Sequence, residues 1–268
     1  MSGATWEARL RTSYMIGTYL GVNAVPDAAL VVDGPDCLFF KAEYIHGTHD
    51  LHATLLDPAG HHRVVHTLAD TVNVVLDREV EIRDLITRVG VRAGTGAVLV
   101  SALPMASITG SQYDRLAREV AAELGKPVLD VPARSLQTDW LDGYAEVLVA
   151  LARGLPLVEG PARSDAIALV GPLVHRSEGD VMADVRELVR LCEDDLGLSV
   201  ASVWPSGRPV AHLAQAGLAG VVVSLPCGRK AARILARRTG ATLVEAPTPF
   251  GTAQTAAFLR TVAAATGR

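Results

Sequence analysis

The sequence predicts an α/β fold of tandem Rossmann-like units, in which parallel sheets are flanked by helices. Three observations predict it. Short aliphatic runs, such as ALVV at 29–32 and AVLVS at 97–101, are bounded by turn residues and alternate with segments of helical period, the pattern of strands buried on both faces. Hydrophobic residues make up 49% of the chain but aromatics only 4%, so Val, Leu and Ala must fill a core of sheets covered by helices. The β–α rhythm also restarts after a stretch rich in Pro and Gly. This divides the 268 residues into a first unit at 1–155, a linker at 156–164 and a second unit at 165–268.

Taken in order, residues 1–27 read as a helix or arm covering the first unit. A strand at 28–32 ends in the turn Gly34-Pro35-Asp36-Cys37, followed by a helix over 38–52. The Asp57-Pro58-Ala59-Gly60 turn separates short strands at 53–56 and 63–67. A further strand or edge falls at 72–76. Val80, Ile82, Leu85, Ile86 and Val89 have helical spacing. A strand at 97–101, a loop through 107–111, a helix over 112–124, a strand at 127–131 and a helix from 139 complete the first unit. The second unit offers strands at 166–170, 200–203, 220–224 and 242–245, with helices at 180–196, 209–216, 228–239 and 252–265. Parallel strands joined this way require right-handed crossovers.

Composition excludes several classes. The net charge is −4 with no basic run, which argues against nucleic-acid or anionic-membrane binding. No apolar run approaches the roughly 20 residues of a membrane span, and no signal peptide is evident. Three cysteines, Cys37, Cys192 and Cys227, make no disulfide framework in a chain of this length. The expectation is a cytoplasmic protein with reduced thiols.

The chemistry-bearing candidates are few. There is no dinucleotide fingerprint, Walker motif, nucleophile elbow, H-E-x-x-H or C-x-x-C, which removes the commonest catalytic readings of such a fold. Ligands of open α/β sheets bind beyond the carboxyl ends of strands, where Cys37 and Cys227 both fall. Arg229 and Lys230 follow Cys227 at a helix start, a setting that favours thiolate; the bland alternative is a small buried hydrophobe. Cys192 lies mid-helix and reads as core. His46, His49 and His52 form H-x-x-H-x-x-H, with His61, His62 and His66 close behind. Solvated or capping roles compete with a zinc or iron site there. Glu43, His46 and Asp50 are alternatively placed to meet a polar substrate. Ser107, Thr109 and Ser111 around Gly110 read as a plain loop or an anion-binding one.

The order of these pieces resembles the component 1 family of nitrogenases, which includes the light-independent protochlorophyllide and chlorophyllide reductases. The segments carrying it are SYMIGTYLGVNAVPDAALVVDGPDC (13–37), VVLDREVEIRDLI (74–86), VLVSALPMASITGSQYDRLAREV (98–120), AIALVGPLVHRSEGD onward (from 166), and GVVVSLPCGRK through TPFGTAQT (220–255). The resemblance implies a nitrogenase-like oxidoreductase subunit. Such a subunit takes electrons from an ATP-dependent iron–sulfur reductase and passes them through an interfacial iron–sulfur cluster to a small unsaturated or tetrapyrrole-like substrate. It also implies a homodimer, or a heterodimer with a related subunit. Cys37 and Asp36 would be ligands of that cluster, a [4Fe–4S] type, with Gly34 and Pro35 shaping their turn. Cys227, His46 and His49 would face the substrate. The chain departs from the family at two cysteine positions, which resemble Ser13 and Leu103 here, and it stops near where a third domain would begin, so a nitrogenase-type cofactor is not expected. A [4Fe–4S] cluster wants four ligands, and two copies of Cys37 supply two; Asp36, a histidine or a partner chain must supply the rest. The alternative is a redox-inactive member that binds a metabolite, tetrapyrrole or metal ion, or scaffolds a catalytic partner.

Overall fold

The computed structural model describes residues 12–35, 39–50, 52–57, 59–70, 76–107 and 110–268. Helix α1 (Tyr14–Asn23) leads into β1 (Ala28–Asp33), α2 (Phe39–Tyr44), β2 (Val64–His66), α3 (Glu79–Gly90), β3 (Ala97–Ala102), α4 (Pro104–Ser107), α5 (Tyr113–Leu124), β4 (Val128–Asp130) and α6 (Trp140–Gly154). The second half runs β5 (Arg163–Val170), α7 (Gly179–Glu193), β6 (Ser199–Trp204), α8 (Val210–Ala214), β7 (Ala219–Ser224), α9 (Arg229–Thr239), β8 (Thr242–Glu245) and α10 (Gly251–Thr266). Two four-stranded sheets result, ordered β2-β1-β3-β4 and β6-β5-β7-β8. Every pairing is parallel.

Alternation along each strand sorts side chains to opposite faces. Ala29, Val31, Val98 and Val100 pack on one side against Ile82 and Ile86 of α3 and Leu116 and Val120 of α5. Leu30, Val32 and Leu99 point the other way, into a core shared with Ala168, Val170 and Val222 of the second sheet. Ile167, Leu169, Val221 and Val223 then face α7 and α10. Because both faces of both sheets are covered, the strands read as unbroken aliphatic runs. β1 and β3 are buried at every position.

The middle layer is built around α1 and α6. These helices touch through their backbones: a Cβ on Gly17 would lie 1.6 Å from the Trp140 carbonyl oxygen, and one on Gly143 would lie 2.1 Å from that of Tyr14. Asp139 caps α6 by accepting from the Leu141 N–H at 3.0 Å.

Several expectations need correction. Residues 53–56 form no strand; only Leu56 and His62 make an isolated antiparallel bridge. Asn23 at the end of α1 captures the Thr54 N–H on its side-chain oxygen and the Thr54 hydroxyl on its carbonyl, so this backbone is committed away from the sheet. The helix expected over 38–52 begins at Phe39, and its last turn, Ile45–His49, opens into a π-turn. The stretch read as a linker is mostly exposed, with the Val158 N–H donating to Ala214 O at 2.9 Å, and β5 starts at Arg163 within it. The arm at 1–11 and most of the edge at 72–76 lie outside the described residues. Among the described residues no helix is long and apolar enough to cross a membrane.

Candidate functional site

The carboxyl end of β1 carries a buried polar network. Asp33, 1% exposed, accepts from Arg78 at 2.9 Å and from the Thr67 hydroxyl at 2.7 Å on one oxygen, and from the Tyr113 hydroxyl at 2.7 Å on the other. Each oxygen of this buried carboxylate is thus met by a hydrogen-bond donor. Burial, and then the bond to Asp33, push the Tyr113 hydroxyl above its ordinary pKa. The turn is tied to this network: Gly34 N–H donates to the Thr67 hydroxyl at 3.1 Å, and its carbonyl accepts from Ala69 N–H at 2.9 Å. Sequence reasoning missed Asp33, Arg78 and Tyr113. The available signal was an acidic residue closing a fully buried strand, which demands a cation nearby.

Gly34 and Pro35 follow directly on β1, while Asp36 and Cys37 lie outside the described residues. Leu103, at the end of the neighbouring strand, packs its side chain against Gly34, 3.1 Å from where a Cβ would sit. Just beyond, Phe39 (46% exposed), Phe40 (71%) and Tyr44 (53%) are open to solvent on α2. Leu68, after β2, is also exposed and holds a φ of 56°, a left-handed conformation that costs a branched side chain energy. Exposed apolar side chains thus stand on α2 and just past the end of β2, the strand beside β1.

The histidines divide by environment. The π-turn sets His46 beside His62, ring centroids 6.4 Å apart, rather than beside His52. His62 accepts the Val64 N–H on Nδ1 at 3.0 Å, and its Nε2 lies 3.5 Å from Glu43. Burial lowers its pKa. His66 is buried against the Tyr19 hydroxyl at 3.2 Å, and desolvation pulls it down to about 4, so it is neutral at physiological pH. His61 pairs with Asp57 at the surface, and the His49 side chain lies outside the described residues. Among the described residues no three His, Cys, Asp or Glu side chains are grouped as a metal centre.

Cys227 is half-buried in a 3₁₀ turn, Pro226–Gly228, that precedes α9. The end of β5 presses on it: a Cβ on Gly171 would lie 2.2 Å from the Gly228 nitrogen. Fully buried Tyr144 of α6 stands near this thiol. Its hydroxyl donates to Pro172 O at 3.0 Å and accepts from Val174 N–H at 2.8 Å. Asp50 reaches across to the Ser177 N–H at 2.8 Å, so the first unit grips the loop at 171–178 at two points. The cations expected to favour thiolate are engaged elsewhere, Arg229 with Glu245 and Lys230 with Glu146. Cys192 is buried in the core and pushed up to about 12 by desolvation, which makes it inert.

Comparison with known proteins follows the geometry. The family described as Nitrogenase component 1 type Oxidoreductase matches residues 13–268. No curated protein matches the sequence. Among solved structures, nitrogenase Cp1 at pH 6.5 superposes with a TM-score of 0.76 at 15% identity, covering 97% of this chain and 59% of that one. Nitrogenase Cp1 at pH 5 gives 0.64 at 14% identity, covering 90% and 48%. At these identities the likeness is one of fold, and the chain spans about half the length of the structures it matches, 59% of one and 48% of the other.

Proposed function

Because the chain belongs to the nitrogenase component 1 type oxidoreductase family, we propose that it is a nitrogenase-like redox subunit with an iron–sulfur cluster at the face where two chains meet. One observation carries this reading. The Gly34-Pro35 turn is anchored from below by the buried Asp33–Thr67–Arg78–Tyr113 network and is followed in the chain by α2 with its exposed Phe39, Phe40 and Tyr44. An anchored turn followed by exposed apolar side chains suits a site completed by a second chain.

One chain does not furnish a full ligand set, since Leu103 and Ser13 occupy the positions that resemble the family's other cysteines. Two facing chains would offer Cys37 and Asp36 twice, four ligands in all. A bound cluster would supply one-electron storage. The chain's own residues hold the turn through Asp33, exclude water with the apolar side chains of α2, and bring the 171–178 loop and Cys227 against the first unit for substrate binding. The electron donor is an ATP-dependent reductase of the kind the family resemblance implies, and the acceptor is a small unsaturated or tetrapyrrole-like molecule.

Protein purified without oxygen should carry iron and sulfide and absorb broadly in the visible, and Cys37→Ala should lose both. Colourless, iron-free wild-type protein overturns the reading. That outcome favours a second one, supported by the Leu103 side chain against Gly34: a redox-inactive member that binds a metabolite or scaffolds a catalytic partner.

A further inference from the structure

The carboxyl ends of the two sheets each bring a cation to one buried carboxylate. Arg134 lies on the loop after β4, and Lys230 lies in the first turn of α9, beyond β7. Glu146 of α6, its side chain only 6% exposed, stands between them. Its Oε1 accepts from Lys230 Nζ at 3.1 Å, and Arg134 approaches the same oxygen at 3.8 Å. Both cationic side chains are half open to solvent, 49% for Arg134 and 57% for Lys230.

Donors are left over at this spot. An ammonium carries three N–H groups and a guanidinium five. Lys230 commits one to Glu146, and the Arg134 side chain makes no other hydrogen bond or ion pair among the described residues. Its loop is nevertheless held in place. The Tyr14 hydroxyl donates to Pro132 O at 2.7 Å, and the Gln137 N–H donates to Arg134 O at 3.0 Å. The hydroxyl of neighbouring Ser135 is buried with no hydrogen-bond partner among the described residues, a deficit that a ligand oxygen removes.

Cys227 belongs to the same place. It precedes Lys230 by three residues at the opening of α9, the spacing that sets side chains on one helical face. Tyr144, two residues before Glu146 on α6, stands near the thiol. Ligands of such sheets bind beyond the carboxyl ends of strands, and here both sheets contribute.

We propose that Arg134 and Lys230, steadied by Glu146, bind a carboxylate beside Cys227, so that the substrate is a molecule carrying an anionic arm. The carboxylate takes up the unused N–H donors of both units through charge-assisted hydrogen bonds, and the rest of the molecule reaches the thiol. This deepens the proposed function by naming a substrate class. It rests on Cys227 facing the substrate and does not require a cluster.

Alkylation of Cys227 in the full chain tests it with two reagents of nearly equal size, anionic iodoacetate and neutral iodoacetamide, followed at this cysteine by peptide mass spectrometry. Relative to N-acetylcysteine, the rate ratio of iodoacetate to iodoacetamide should be raised at least about tenfold, and the increase should fall with added salt. Lys230→Met and Arg134→Met should each lose most of that preference, and Lys230→Arg should keep it. Arg134→Met, on an exposed loop, keeps the test open if Glu146 without Lys230 unfolds the chain. A ratio equal to that of the free thiol overturns the proposal. So does a preference that survives the Lys230→Met/Arg134→Met double variant, or a thiol that neither reagent reaches. Iron and sulfide content read the redox role separately, so either reading can fail without the other.

Discussion

His66 illustrates how one buried side chain couples this fold to acid. It is held neutral at the end of β2 by desolvation, with a pKa down near 4 against about 6.5 for the free side chain. As pH falls through this interval the unfolded chain takes up the proton first, so the stabilisation is complete above about 6.5 and is lost progressively towards 4. The interval corresponds to about 3 kcal/mol. Urea denaturation of wild type and His66→Gln at pH 7 and near pH 4 should show the gap between them narrowing by an amount of that order; a gap independent of pH would contradict it. Position in the sequence says none of this, because the six clustered histidines look alike until the fold assigns one to the surface, two to each other and one to Tyr19.

Among the elements, the α1–α6 pair is the most constrained. Gly17 and Gly143 each face the other helix's backbone with no room for a methyl group, so the axes approach more closely than side chains would permit. Gly17→Val should displace α1 and cost at least about 3 kcal/mol, the upper part of the range for overpacked cores. Gly179→Ala, where a Cβ meets nothing within 4 Å, should be neutral or slightly stabilising. Thermal melts of the two variants make the comparison, and equal shifts would show that the contact yields. The tyrosines and small residues of 14–23 gave little helical period to read because the helix is buried on nearly all sides, and amphipathicity appears only where one face meets water.

For the whole molecule, the decisive feature is that the inner faces of both sheets feed one apolar core through α1, α6 and α9. Units joined by so much shared burial should unfold together. Fluorescence from variants retaining only Trp140 or only Trp204 should report the same urea midpoint, the first from α6 and the second from the second sheet. Two separated midpoints would show that the units are independent.

The aliphatic runs at 28–32, 97–101, 166–170 and 220–224, together with their turns, were enough to settle the α/β class, because strands buried on both faces and their glycine turns are written locally; the family came from the resemblance of the collinear segments and its match over residues 13–268. Tertiary structure alone decided which polar groups meet. Asp33 finds Arg78 and Tyr113 from 45 and 80 residues away, Tyr144 reaches the loop of the other unit, and Leu103 lands on Gly34. Desolvation and pairing act through space, so their consequences exist only once the chain has closed.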